Sequence, residues 1–290
     1  MSKIFKIKNG ILEDCLDKSV KEVVIPDGIK SITKYAFSGC NSMTSIIIPD
    51  SVTDLEGVFT SCASLTSIIV SEKNKKYDSR DNCNAIIETK TNTLIMGCQN
   101  TFIPNTVTAI GKWAFNGCSK LTSITIPDTV RSIKEFAFYE CSNLENIIIP
   151  NSIKNIGKYA FYDCKSLTDF EIPSKVKEIK EGVFFKCSSL ERMIIPKGVK
   201  KIGDGAFASC SSLASITIPD SITSIGYRAF FLCTSLKSLT IPESVTNIGT
   251  QAIGICDNLE TVTFLGTKEQ WENMTKDAQL DNGFNLVVLK

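Results

Sequence analysis

The chain contains no histidine. That absence removes the commonest general base, the usual serine and cysteine triads, and most zinc sites. No charge of either sign dominates. The net charge is +1, so no long-range field gathers nucleic acid or an anionic membrane. No apolar run approaches the roughly 18 residues that a membrane-spanning helix needs. The 12 cysteines include no CxxC pair. No GxSxG, Walker or GxGxxG sequence stands between a strand and a helix. The opening residues, Met1 to Lys8, lack the apolar centre and small-residue cleavage site of a signal peptide. On that ground the chain stays in the cytoplasm or has lost a leader. No catalytic, metal-binding or cofactor-binding residue is expected, and no cofactor.

What is present is a period. Pro26 and Pro49 are 23 residues apart, and so are successive members of Pro104, Pro127, Pro150, Pro173, Pro196, Pro219 and Pro242. Around each the chain repeats one phrase, as at Leu121, Ile124, Ile126, Pro127, Val130, Ile133, Ala137, Phe138 and Cys141. A fixed period of this length marks a solenoid, in which each coil buries its apolar face only against its neighbours. Apolar residues make up 43% of the 290 residues and charged ones 22%, enough for a continuous core in one elongated domain.

Within one coil, Ile147 and Ile149 point inward and Ile148 outward, which predicts a short strand ended by Pro150. Asn151 and Ser152 make a bend, and Ile153 and Ile156 return to the core. Gly157 then opens Tyr159 to Tyr162, read as one helical or 3-10 turn ending at Cys164. Thr33, Lys134 and Lys180 fill the glycine position elsewhere, so it does not demand a positive φ. One inward file runs Phe37, Phe59, Phe115, Phe138, Phe161, Phe184, Phe207, Phe230 and Ile253. The file before it is alanine, except for Val58 and Val183. Cys40, Cys62, Cys118, Cys141, Cys164, Cys187, Cys210, Cys233 and Cys256 share another position. In-register coils set them about 5 Å apart. Side chains pointing the same way oppose a disulfide torsion, so they read as free, buried, small hydrophobes. Cys15, Cys83 and Cys98 lie off this column.

The phrase at Leu213–Cys233, LASITIPDSITSIGYRAFFLC, resembles the BspA-type leucine-rich repeat, L-x-x-I-x-I-P-x-x-V-x-x-I-G-x-x-A-F-x-x-C. The resemblance spans roughly residues 20–265. It implies a β-rich, right-handed, curved solenoid with strands on the concave face. It also implies cell-surface or secreted proteins that bind other proteins, without enzyme activity. Counting strands gives about eleven coils. Residues 1–19 are expected to be a hairpin cap turning at Asn9 and Gly10. Residues 266–290 are expected to be a helix-strand cap, with a capping box at Thr267–Gln270 and with Trp271 and Met274 on one helix face. The coil holding Asp54, Leu55 and Glu56 is one residue short. The stretch at about 71–101 carries an inserted hairpin, Ala85–Thr89 with Thr93–Gly97, expected to project from one face.

Carboxylates leave one route to catalysis. Asp169 and Glu171 share a side of one strand about 7 Å apart, a spacing that can serve glycoside hydrolysis. Opposite Arg192, however, Asp169 reads better as half of a surface ion pair worth at most about 1 kcal/mol. The outward strand column carries more information: Val24, Ile47, Ile69, Phe102, Thr125, Ile148, Glu171, Ile194, Thr217, Thr240 and Thr263. A solvated strand face is usually polar, and contiguous apolar exposure marks an interaction site. Val24, Ile47, Ile69, Phe102, Ile148 and Ile194 are therefore the candidate partner-binding residues, docking a protein or folding under the hairpin. The competing account is the plain β-propensity of Ile and Val. Aromatic columns at Trp113, Phe136 and Tyr159, and at Tyr139, Tyr162 and Phe185, form either a second binding surface or a packed shoulder. The expected partner is a protein, with neither nucleic acid nor membrane insertion. A homodimer is the competing reading.

Overall fold

The computed structural model describes residues 4–55, 62–280 and 283–290. Glu56, Val58 and Phe59 lie outside the described residues. The chain winds as a β-solenoid in which like residues of successive coils stand side by side. Ser123, Ile124 and Thr125 pair in parallel with Asn146, Ile147 and Ile148. Ser238 to Ile241 pair in the same way with Thr261 to Phe264. These strands make the main ladder. Asn285–Val288 pairs in parallel with Thr261–Phe264 and adds a rung to the eleven counted from the sequence.

Most coils also cross a second ladder, which the residue pattern does not announce. Ser132 and Ile133 pair in parallel with Asn155 and Ile156. Lys201 and Ile202 pair with Ser224 and Ile225. Strands of two residues are too short to show alternation. They form because the coil after the Pro-bend must run extended to return Ile153 and Ile156 to the core, where both are buried.

The expected helical or 3-10 turn is instead a run of separate turns. Ala160 N–H donates to Gly157 O, Tyr162 N–H to Tyr159 O and Cys164 N–H to Phe161 O. Tyr159 (φ 55°) and Asp163 (φ 59°) occupy the left-handed region, which breaks any helix. The conformation recurs at Trp113, Phe136, Gly182, Gly205, Arg228 and Gln251. The glycine position itself is set by closeness. A Cβ on Gly157 would lie 2.3 Å from the Glu135 nitrogen of the coil before.

The Phe file stacks face to face, with Phe115–Phe138 at 4.9 Å and Phe161–Phe184 at 5.9 Å between centroids. Both cysteine groups are buried or nearly so and all are free thiols. The amino-terminal hairpin, Phe5–Lys8 with Ile11–Cys15, turns at Asn9 (φ 50°) and Gly10 (φ 74°). Near the other end Thr267 and Gln270 form a reciprocal capping box on the helix Lys268–Thr275, and Trp271 is buried against Phe264.

The hairpin Ala85–Glu88 with Thr93–Gly97 forms, but it does not project. Thr93 and Leu94 pair in parallel with Ala109 and Ile110, so the hairpin enters the second ladder. Ile86 packs into the core on the amino-terminal side, whereas Ala85, Ile87 and Leu94 pack into the other. Apolar residues on both faces of one strand give it two surfaces to bury, so the stack takes it in.

Candidate interaction surface

The main ladder fixes the outward column. Val24, Ile47 and Ile69 are direct register partners on three hydrogen-bonded strands, Glu22–Val24, Ser45–Ile48 and Ser67–Val70. Their inward neighbours Val23, Ile46 and Ile68 are buried, which turns the outward residues to solvent. Val24, Ile47, Ile69 and Phe102 are all exposed. The inserted hairpin therefore does not cover them, and the expectation that this strip folds beneath it is corrected. The hairpin is held in the stack by its own buried faces. Ile148 and Ile194 are exposed as well, further along the same column. They stand apart from the first strip, separated from it by Thr125 and from each other by Glu171.

Asp169 and Arg192 do meet, with carboxylate and guanidinium 3.7 Å apart and both side chains mostly in solvent. A pair so exposed adds little to stability. Among the described residues Glu171 has no ion pair.

The aromatic columns pack as a shoulder. Trp113, Phe136 and Tyr159 stack at 4.0 and 5.3 Å, and Tyr139, Tyr162 and Phe185 at 4.5 and 5.2 Å. Edge-on contacts join the two columns, such as Trp113 with Tyr139 at 5.6 Å. All six rings are half-buried. Tyr159 donates its hydroxyl hydrogen to Glu181. Hydrogen bonds from Lys158 and then Tyr159 hold the Glu181 carboxyl below its usual range. Burial pushes the hydroxyls of Tyr139 and Tyr159 up to about 12. Tyr35 is exposed and carries Lys34 over its ring at 5.2 Å.

A profile of the BspA type leucine rich repeat region matches residues 5–96, 85–214 and 154–277. The chain belongs to the BspA-type leucine-rich repeat family. Solved structures agree on the architecture of this BspA-type protein. A leucine-rich repeat protein from Eubacterium ventriosum is similar, with 24% identity and a TM-score of 0.74 over 82% of this chain and 65% of that one. The chain thus spans about two thirds of the length of that relative. The pneumococcal vaccine antigen PcpA is similar at 19% identity and a TM-score of 0.63, over 94% of this chain and 68% of its own. At such identities the likeness concerns the fold. No curated protein matches the chain. Among the described residues no helix is long and apolar enough to cross a membrane.

Proposed function

We propose that this BspA-type chain is a non-enzymatic recognition scaffold that docks a protein partner on its main-ladder face, outside the cell. One observation carries the reading: Val24, Ile47 and Ile69 form an exposed aliphatic strip in strict register on three bonded strands. A rigid ladder presents such a strip with little ordering cost on binding, so its apolar area contributes to affinity directly. The family's association with protein binding at cell surfaces supports the same assignment. The strip is tested by surface plasmon resonance against purified extracellular-matrix and cell-surface proteins. Ile47→Lys with Ile69→Lys should weaken the bound partner at least tenfold while the melting temperature holds. Undiminished binding rejects this face.

Self-association is the second reading, favoured by the same exposed strip, which two copies can cover mutually. Sedimentation of the wild type and the double lysine variant separates the accounts. A stable dimer that the lysines disperse makes the strip a self-contact.

A further inference from the structure

Counted from the strand that ends at Ile25, coil seven (residues 168–190) departs from coil six (145–167) and coil eight at several places, with Lys180 at the glycine position, Val183 in the alanine file and a bulky ring in the strand. Where Ile147 and Met193 fill the first inward strand position, coil seven has Phe170. Its ring is buried and wedges edge-on against two members of the Phe file, 4.9 Å from Phe161 and 4.7 Å from Phe184. The main ladder opens on both sides of it. Ile126 N–H donates to Ile148 O at 3.0 Å, and Ile195 N–H to Thr217 O at 3.3 Å. The equivalent donors between them, Ile149 and Ile172, find no acceptor among the described residues. The second ladder parts at the same step, for Asn155–Ile156 and Glu178–Ile179 fall in separate sheets. The turn side stays bonded there, with Phe161 N–H to Val183 O at 3.0 Å and Asp163 N–H to Phe185 O at 2.8 Å, and at the bend one long bond remains, from Ser174 N–H to Asn151 Oδ1 at 3.4 Å. Coils six and seven thus spread like a book, hinged on their turns.

The opening is a cavity of about 630 Å³ on the main-ladder face. Ile147 and Ile149, inward residues whose counterparts in other coils are buried, are only half-buried here. Ile194 and Ile148, which flank the mouth, are the two most exposed large aliphatic side chains among the described residues, at 70% and 64%. The charged residues of the lining are Asp169, Glu171 and Arg192. Because Arg192 faces Asp169, Glu171 is left as the uncompensated charge.

We propose that this cleft is a binding site for an extended peptide segment bearing a basic residue. The basic side chain lays its aliphatic stem against Ile147 and Ile149 and brings its cation to Glu171. Long basic side chains divide in this way between apolar and charged surroundings. A charge-assisted hydrogen bond to a carboxylate flanked by aliphatic groups is stronger than one in open water. The peptide main chain offers its carbonyls to the Ile149 and Ile172 N–H groups that the ladder leaves open. The proposal rests on the reading of the main-ladder face as a recognition surface, but on residues remote from the Val24–Ile69 strip.

The test is NMR titration of isoleucine methyl signals with the peptide Ac-Thr-Val-Thr-Arg-Thr-Val-Thr-NH2. Versions with citrulline or glutamate replacing arginine serve as comparisons. Saturable shifts at Ile147, Ile148, Ile149 and Ile194 are expected with the arginine peptide. Binding should weaken at least tenfold with citrulline, with glutamate, and in Glu171→Gln. The Ile47→Lys/Ile69→Lys protein should bind the peptide unchanged, so failure at the cleft and failure of the strip are told apart. Equal binding of the three peptides, insensitivity to Glu171→Gln, or no saturable shift at these methyls overturns the proposal.

Discussion

The Cys141 thiol donates to the carbonyl oxygen of Phe115, 3.1 Å away and one coil back. The same bond joins Cys164 to Phe138, Cys187 to Phe161, Cys210 to Phe184 and Cys233 to Phe207, at 3.1 to 3.2 Å. Each thiol is therefore a second donor to a buried carbonyl that already accepts the N–H of the cysteine in its own turn, as Phe161 O accepts from Cys164 N–H, and each binds its coil to the one before. Burial raises every one of these thiols and pushes Cys40 and Cys62, in the same column, up to about 12. The thiolate is the reactive form. Native protein at pH 8 should consume Ellman's reagent only as fast as it unfolds, and all 12 thiols should react in denaturant. Rapid reaction of several thiols in the native protein would contradict a buried file.

Phe161 stacks between Phe138 at 5.3 Å and Phe184 at 5.9 Å and is fully buried. Phe161→Ala should cost about 3–5 kcal/mol by urea unfolding, since the coils on either side cannot collapse onto the void without losing register. Tyr162→Ala, at a half-buried ring, should cost markedly less. Equal losses would mean that the shoulder carries as much packing as the core.

Much of this was legible in the residues, and the reason is repetition. Phe138, Phe161 and Phe184 recur at one phase, and only in-register coils bring like to like. The turn at Asn9–Gly10 and the box at Thr267–Gln270 were legible because their chemistry is local. The second ladder was not, since Ser132–Ile133 is too short to display a period. The place of the hairpin was hidden for a different reason: apolar residues on both faces of Ala85–Glu88 fit an excursion or an inserted rung equally until the stack is seen. The outward strip at Val24, Ile47 and Ile69 followed from alternation alone. The cleft did not, because Phe170 reads as one more apolar inward residue and its bulk matters only against Phe161 and Phe184.

Gly157 and Lys180 occupy the same position in coils six and seven. A Cβ on Gly157 would overlap the Glu135 nitrogen at 2.3 Å, whereas Lys180 sits where the second ladder has parted. Gly157→Ala should therefore destabilise by more than about 1 kcal/mol, against the usual gain from removing a glycine at an ordinary φ. Lys180→Gly should cost no more than about 0.5–1 kcal/mol, which any new glycine costs through the unfolded chain. Chemical denaturation of both variants decides it, and a stabilised Gly157→Ala would refute the close approach of coils.

Burial lifts the Tyr139 and Tyr159 hydroxyls from about 10 to about 12. The unfolded chain then releases these protons first as pH rises. The stabilisation is complete below pH 10 and is lost as pH climbs through 12. Absorbance at 295 nm should show these two tyrosines ionising late. The fall in urea midpoint between pH 10 and 12 should be shallower in Tyr139→Phe/Tyr159→Phe. An identical fall in the double variant would place its origin elsewhere.

If Phe170 wedges coils six and seven apart, shortening it should let them close. Phe170→Ile restores the residue type found at Ile147 one coil earlier. The Ile149 and Ile172 N–H groups would then reach the Glu171 and Ile194 carbonyls, as Ile126 reaches Ile148. Amide exchange at these two positions should slow by at least tenfold in the variant, because exchange in a bonded ladder waits for local opening. Exchange at Ile126 supplies the reference, since its bond is present in both proteins. The lost edge-on contacts with Phe161 and Phe184 oppose the gain in ladder bonds, so overall stability should move little while protection moves much. Unchanged exchange at Ile149 and Ile172 would mean that the parting is set by something other than the bulk of this ring.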